Sequence, residues 1–320
     1  MNPIRGLHHV TAVARDPQRN VDFYRNVLGQ RLVKRTVNFD SPDTYHFYFA
    51  DETGNPGSVL TFFAWPNMRR GVRGNGETNV VAYNVPLGSL PFWQERLKQN
   101  GITPAAIEIR FGQNVLPFTD PDGMNLELIE VQNLPTVHHW EEGPIPQAYA
   151  LRGFHSVTLW LDEVEPTSTL LTQRMGYRFT GVAENRHRFH GDGNALGHIV
   201  DLVHRPGKMQ AGFGAGSIHH IAFRAANDEE QLTYHSALSE AGFRVSPVMD
   251  RSYFHSIYFR EQGGVLFEIA TDTPGFLIDE PKDSLGEALK LPEWVEPQRA
   301  EIEASLLPLT LNPIEKASLS

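Results

Sequence analysis

The sequence predicts an α+β fold in which four βαβββ modules form two paired-sheet domains. Three observations carry this expectation. Four stretches with helical spacing each run into a glycine, at Gly29, Gly101, Gly176 and Gly242. The first module overlays the third with an offset of 147, which sets Gly6-Leu7-His8-His9-Val10-Thr11 over Gly153-Phe154-His155-Ser156-Val157-Thr158. The second overlays the fourth with an offset of 140 to 141, which sets Gly74 and Gly76 over Gly214 and Gly216, and Gly123–Glu127 over Gly264–Glu268. A βαβββ unit leaves one sheet face bare, so each unit needs a partner to cover it.

In chain order, the first module opens on the apolar run around His8 and His9. Its helix has Asp16 as cap, Pro17 in the first turn and Val21, Phe23, Tyr24, Val27 and Leu28 as its apolar positions. The second helix spans about Ser89 to Asn100, and the third starts near Pro166. The fourth starts after Asp228 and carries Leu232, Tyr234, Ala237 and Leu238. The expected divisions are an N-terminal domain at 1–140, a C-terminal domain at 150–272 and a tail at 273–320 packing on both. The join falls at the proline-containing stretch Pro135 to Tyr149. Within the tail, short helices are expected near Leu285–Leu289 and Arg299–Leu306.

Composition narrows the function. The formal charge of -10, with no cluster of Lys and Arg to offset it, disfavours nucleic acid. No apolar run approaches the roughly 20 residues that span a bilayer, and charges stand early in the chain, so a cytoplasmic protein is expected. The absence of cysteine leaves His, Asp and Glu as the metal-ligating types, and the chain has 14 histidines.

Two tandem histidine pairs stand in apolar strand-like runs, His8-His9 and His219-His220. Side chains alternate along a strand, so one member of each pair faces a given cavity. The overlay equates His9, Val80, Ser156 and His220 on the opening strands. On the closing strands it equates Thr61, Glu127, Asp201 and Glu268. If modules one and four share a cup, that cup holds His9, His220, Glu268 and the non-ligating Thr61, and the other holds Val80, Ser156, Glu127 and Asp201. Pairing one with two and three with four leaves a single histidine in each cup. Two imidazoles and a carboxylate form the facial triad of non-haem Fe(II) oxygenases, and Mn(II) accepts the same set. His8 and His219, like His155 at the same repeat position, are expected on the opposite face, as hydrogen-bonded core histidines or as groups acting through the ligands.

The run Asp250-Arg251-Ser252-Tyr253-Phe254-His255-Ser256-Ile257-Tyr258-Phe259-Arg260, with Leu266–Asp272 and Pro274-Gly275-Phe276, resembles the hydroquinone ring-cleaving dioxygenases. These belong to the vicinal oxygen chelate superfamily, which the chain resembles over essentially its whole length. The resemblance implies the vicinal oxygen chelate fold, iron on His9, His220 and Glu268, and an active cup shared by modules one and four. It also implies that Tyr258, Arg251, His8, Thr11 and His219 line or support the substrate pocket, with Arg251 and Thr11 toward substrate. The expected activity is Fe(II)-dependent opening of a hydroquinone ring with both atoms of dioxygen inserted, His219 or Tyr258 serving as acid or base. The partners are a small aromatic diol and dioxygen, and a homo-oligomer is compatible with the sequence. Three rivals stand beside this reading. They are an extradiol catechol dioxygenase, a glyoxalase-type isomerase, for which Thr61 stands where a fourth ligand is useful, and a metal-free drug-sequestering protein of the bleomycin-resistance kind.

Overall fold

The computed structural model describes residues 2–134, 138–192 and 196–316. Pro135 and the rest of 135–137 in the expected join lie outside the described residues, as do Met1 at the start of the N-terminal domain and 317–320 at the end of the tail. The βαβββ plan occurs four times. The first module is β1 (Leu7–Ala14), α1 (Pro17–Val21), β2 (Arg31–Asn38), β3 (Ser41–Ala50) and β4 (Val59–Ala64). The second is β5 (Glu77–Pro86), α2 (Leu90–Gln99), β6 (Glu108–Arg110), β7 (Gln113–Thr119) and β8 (Asn125–Val131). The third is β9 (Phe154–Leu161), α3 (Glu165–Arg174), β10 (Arg178–Ala183), β11 (Arg186–His190) and β12 (Ile199–His204). The fourth is β13 (Ile218–Ala225), α4 (Asp228–Glu240), β14 (Met249–Asp250), β15 (Phe254–Arg260) and β16 (Leu266–Pro274).

The helix ends follow local chemistry. Asp16 accepts from the Arg19 amide to cap α1, which widens into a π-helical turn over Asp22–Val27 before Gly29. Gly29 has φ +71°, and a Cβ there would sit 2.3 Å from Cγ1 of Ile145, so both conformation and space demand glycine. Asn227, one residue ahead of the expected start, caps α4 by accepting from the Glu230 amide. Tyr234 and Leu238 of α4 are buried, whereas Leu232 faces solvent.

The modules pair one with four and two with three. One eight-stranded sheet runs β14-β15-β16-β13-β1-β4-β3-β2 and the other β10-β11-β12-β9-β5-β8-β7-β6. Residues 1–140 and 150–272 each contribute one module to each sheet. A contiguous apolar core of both sheets and the helices, including Leu7, Tyr24, Val81, Trp93, Phe154 and Phe223, joins them. Each fully buried large side chain of this kind contributes about 1.5–3 kcal/mol.

The repeat is accurate at the level of register. In every module the closing-strand position lies beside the residue two beyond the cup-facing one: Thr61 by Thr11, Glu127 by Ala82, Asp201 by Thr158 and Glu268 by Ala222. Strict alternation, however, does not hold. The β1/β13 ladder steps from Leu7↔Phe223 to His9↔Ala222 and from Thr11↔His220 to Ala12↔Ile218, so His8 and His219 are both bulged. The β5/β9 ladder skips Asn79 and His155 at the matching places. A bulge bends the strand and re-aims the extra side chain, so neighbouring rings can meet instead of pointing to opposite faces.

The tail covers the edge of the first sheet. Lys34, wholly buried on β2, is held by Asp279 and Glu280. α5 (Arg299–Ser305) occupies the second expected helix, but residues 285–289 are not helical. Gly286 adopts φ +76° with no room for a Cβ against the Leu32 carbonyl, and Leu289 then bridges Arg35 in parallel. The segment therefore partly satisfies the otherwise open edge of β2.

Candidate metal centre

His9 from β1, His220 from β13 and Glu268 from β16 converge inside the first sheet. The Nε2 atoms of the two histidines are 3.3 Å apart, and Oε2 of Glu268 lies 3.3 Å from His9 Nε2 and 2.9 Å from His220 Nε2. All three residues are buried. The other carboxylate oxygen, Oε1, accepts from Ser256 on β15, which fixes the carboxylate plane. Oε2 is buried without a hydrogen bond of acceptable geometry. A buried acceptor left unsatisfied costs about 1–3 kcal/mol, more when charged. Two imidazole nitrogens and one unsatisfied carboxylate oxygen meeting at a point suit a divalent cation.

Electrostatics agree with that fit. Burial lowers His220 against the pull of Glu268, so the ring favours the neutral form in which Nε2 can ligate.

The bulged histidines complete the arrangement. His8 Nδ1 lies 2.9 Å from His9 Nδ1, and His219 Nδ1 lies 2.7 Å from His220 Nδ1. With the Nε2 lone pairs of His9 and His220 turned inward, their Nδ1–H groups donate to His8 and His219. This hydrogen bond sets the tautomer of a ligating ring. Burial and the adjacent ring hold His8 well below its ordinary value and His219 at about 3, so both stay neutral acceptors at Nδ1.

Above the trio lies a cavity of about 350 Å³. Thr11, His219, Arg251 and Tyr258 line it, while His8 does not and reaches it only through His9. The expectation that both first members of the pairs face away thus fails for His219, because the bulge turns it to the cavity wall. Arg251 Nε donates to the Tyr258 hydroxyl over 3.3 Å, and its Nη1 reaches Asp40 at 3.3 Å across the cavity mouth. Thr61 lies beside the trio but bonds to Thr11 and His46. Sequence reasoning missed His46, Tyr48, Phe63 and Trp65 on the walls and Ser256 behind Glu268. The period-two spacing of His46 and Tyr48, in a strand next to that of Thr61, was the available signal.

The comparisons with known proteins fit this geometry. The model of the Glyoxalase/Bleomycin resistance protein/Dioxygenase superfamily matches residues 6–128 and 153–269. The chain belongs to that superfamily. It is 44% identical over 311 residues to a Bacillus subtilis (strain 168) protein provisionally named ring-cleaving dioxygenase MhqO, covering 97% of this chain and 98% of the relative. It is 36% identical over 319 residues to the chlorohydroquinone/hydroquinone 1,2-dioxygenase of Sphingobium indicum, covering 97% of each. A crystal structure of a provisionally assigned dioxygenase from Bacillus subtilis superposes with a TM-score of 0.94 at 43% identity, covering 98% of this chain and all of that one.

Proposed function

We propose that the protein is a metal-dependent dioxygenase that opens the ring of hydroquinones and inserts both atoms of dioxygen, with Fe(II) as the metal and Mn(II) as the alternate. The observation that carries this is the His9, His220 and Glu268 trio opening on an aromatic-walled cavity sized for one substituted ring. The names of the Bacillus and Sphingobium relatives supply the reaction class and the para-diol preference.

His9 Nε2, His220 Nε2 and Glu268 Oε2 would hold the ion, which when bound supplies Lewis acidity, a template for substrate oxygen and redox access to dioxygen. The remaining work falls to side chains of the chain itself. Arg251 donates to Tyr258, so the Tyr258 hydroxyl proton is left for an acceptor, either the neighbouring Ser256 hydroxyl or a substrate oxygen in the cavity. Burial raises the Tyr258 phenol, so it stays protonated and acts as a donor. His219 accepts from His220 at Nδ1 and therefore carries its proton on Nε2, so it too is a donor. The walls thus offer N–H and O–H groups to a deprotonated hydroxyl, and His219 and Tyr258 are better suited to give a proton late than to take one first. Phe63, Trp65 and Phe254 cover the ring faces of a substrate and exclude water.

The test is oxygen uptake by anaerobically purified, metal-assayed protein with methylhydroquinone and catechol, followed by mass spectrometry with labelled dioxygen. The expected result is one dioxygen per hydroquinone and both labelled atoms in an open-chain product. Quinone as the sole product overturns the reading in favour of simple oxidation, and faster uptake with catechol moves it to the ortho-diol class.

A further inference from the structure

Beside the trio, four side chains form a hydrogen-bonded row along the cavity wall, with Tyr48 at one end and Thr11 at the other. The Tyr48 hydroxyl lies 3.0 Å from His46 Nδ1, His46 Nε2 lies 2.9 Å from Thr61 Oγ1, and Thr61 Oγ1 lies 2.8 Å from Thr11 Oγ1. Every member is buried. The row starts on β3 and crosses β4 to β1, where Thr11 stands opposite His220 in the ladder.

A neutral imidazole has one donor and one acceptor nitrogen, so the row has two possible polarities. In one, Tyr48 donates to His46, His46 to Thr61 and Thr61 to Thr11, which leaves the Thr11 proton for the cavity. In the other every bond reverses, and the Tyr48 proton is left over. A phenol donates strongly and accepts weakly because its lone pair is drawn into the ring, and an imidazole nitrogen is a strong acceptor. Among the described residues the Tyr48 hydroxyl has no hydrogen-bond partner other than His46, and its ring packs against Tyr253 and Phe276. Reversal would therefore place the weaker bond at the head of the row, with an imidazole N–H on a phenol oxygen in place of a phenol O–H on an imidazole nitrogen.

We propose that Tyr48 and His46 are positioning residues that lock Thr11 as a hydrogen-bond donor into the metal end of the cavity, which makes that end selective for an oxygen without a proton. The ligand class is a phenolate or other deprotonated aromatic hydroxyl. The proposal deepens the functional reading above and rests on it for the identity of the occupant, but the polarity of the row is a property of the chain alone.

The probe is 4-nitrophenol, whose phenolate is coloured, titrated on the metal-loaded protein and again after chelation. The bound probe's apparent pKa reads the preference for phenolate over phenol without any turnover. Thr11→Val is expected to weaken the phenolate about 10-fold or more, as loss of a hydrogen bond to a charged group does. Tyr48→Phe and His46→Leu should weaken it about 3- to 10-fold, with less change for the neutral phenol. His46→Gln should keep the parent value, because a glutamine amide can accept from Tyr48 with its oxygen and donate to Thr61 with its nitrogen. Thermal melts identify any variant that fails to fold. Folded Tyr48→Phe and His46→Leu proteins with the parent's bound pKa, or His46→Gln behaving like His46→Leu, overturn the proposal. A preserved phenolate preference in a protein that consumes no dioxygen with any diol would instead overturn the functional reading and leave this one standing.

Discussion

The two sheets share one scaffold and one register, yet among the described residues only the first leaves a carboxylate in its cup open. In the first sheet, the residues beside His9 and His220 lead to Thr61 and Glu268, and Tyr48 and Tyr258 stand opposite these on the neighbouring strands. In the second sheet the same ladder positions carry Glu127 and Asp201, with Pro117 and Arg188 opposite. There each carboxylate is closed by guanidinium. Arg110 reaches both oxygens of Glu127 at 2.7 and 3.0 Å, Arg188 reaches both of Asp201 at 2.8 Å, and Arg186 adds a further bond to Asp201 at 3.1 Å. Against burial, which raises it, Arg188 and Arg186 hold Asp201 below its ordinary value. A buried carboxylate needs positive charge or donors. One cup provides them from the chain, and the other, with tyrosine where Arg188 stands, leaves Oε2 of Glu268 for a cation.

The comparison breaks most severely at its carboxylates. Glu268→Ala removes the single anionic group of the trio, and bound metal measured by mass spectrometry should fall from about one equivalent per chain to background. Glu127→Ala should keep the metal, because Glu127 faces Arg110 in the other sheet. Its cost is the lost pair of bonds to Arg110, whose guanidinium keeps Glu108 as a partner, about 1 kcal/mol in denaturant unfolding. Metal lost from Glu127→Ala but retained by Glu268→Ala would assign the site to the wrong sheet.

The bulged histidines give a smaller and more graded contrast. His8→Phe and His219→Phe remove the acceptors that orient His9 and His220, and such partners typically contribute 10- to 100-fold in metal affinity. His155 occupies the same bulge in the second sheet, where its Nδ1 lies 2.9 Å from the Ser156 hydroxyl, and His155→Phe should leave affinity within about twofold of the parent. Competition with a chelator of known affinity measures all three. Equal losses would mean that the bulges act through general stability and not through the ring they touch.

How much of this the sequence carried depends on which rule was read. The module plan was legible because helix ends are written in local chemistry, as Asp16 with Pro17 and Gly29 illustrate. The pairing of His9 with His220 and Glu268 was also legible, since the strand register repeats without a slip between modules. What strict alternation hid was the bulge. A residue inserted opposite nothing has no sequence mark here, so His219 was expected on the far face and stands on the cavity wall. The arginines that close the second cup were equally invisible, because Arg110, Arg186 and Arg188 become partners of Glu127 and Asp201 only when the strands are aligned side by side. The stretch 285–289 was misread for another reason: its apolar residues cover a sheet edge, and Gly286 in a left-handed conformation ends any helix there.

The gentlest contrast concerns pH and leaves the metal untouched. His155 is buried beneath Arg188, Asp201, His190 and His198, and burial, followed by Arg188, lowers its pKa to about 3. An unfolded histidine titrates near 6.5. The folded value is the lower of the two, so between about pH 6.5 and 3 the unfolded chain binds the extra proton. The stability this ring contributes is complete above pH 6.5 and is lost as pH falls toward 3, at no more than about 1.4 kcal/mol per unit. His155→Gln keeps a group able to bond Ser156 and removes the titration, so its unfolding free energy should match the parent's near pH 8 and fall less steeply below pH 6. The buried histidines of the first sheet steepen the acid limb of both proteins alike, so the difference between the two limbs is the quantity to measure. Parallel acid limbs for parent and variant would show that the second sheet opens to solvent around His155 before the chain unfolds.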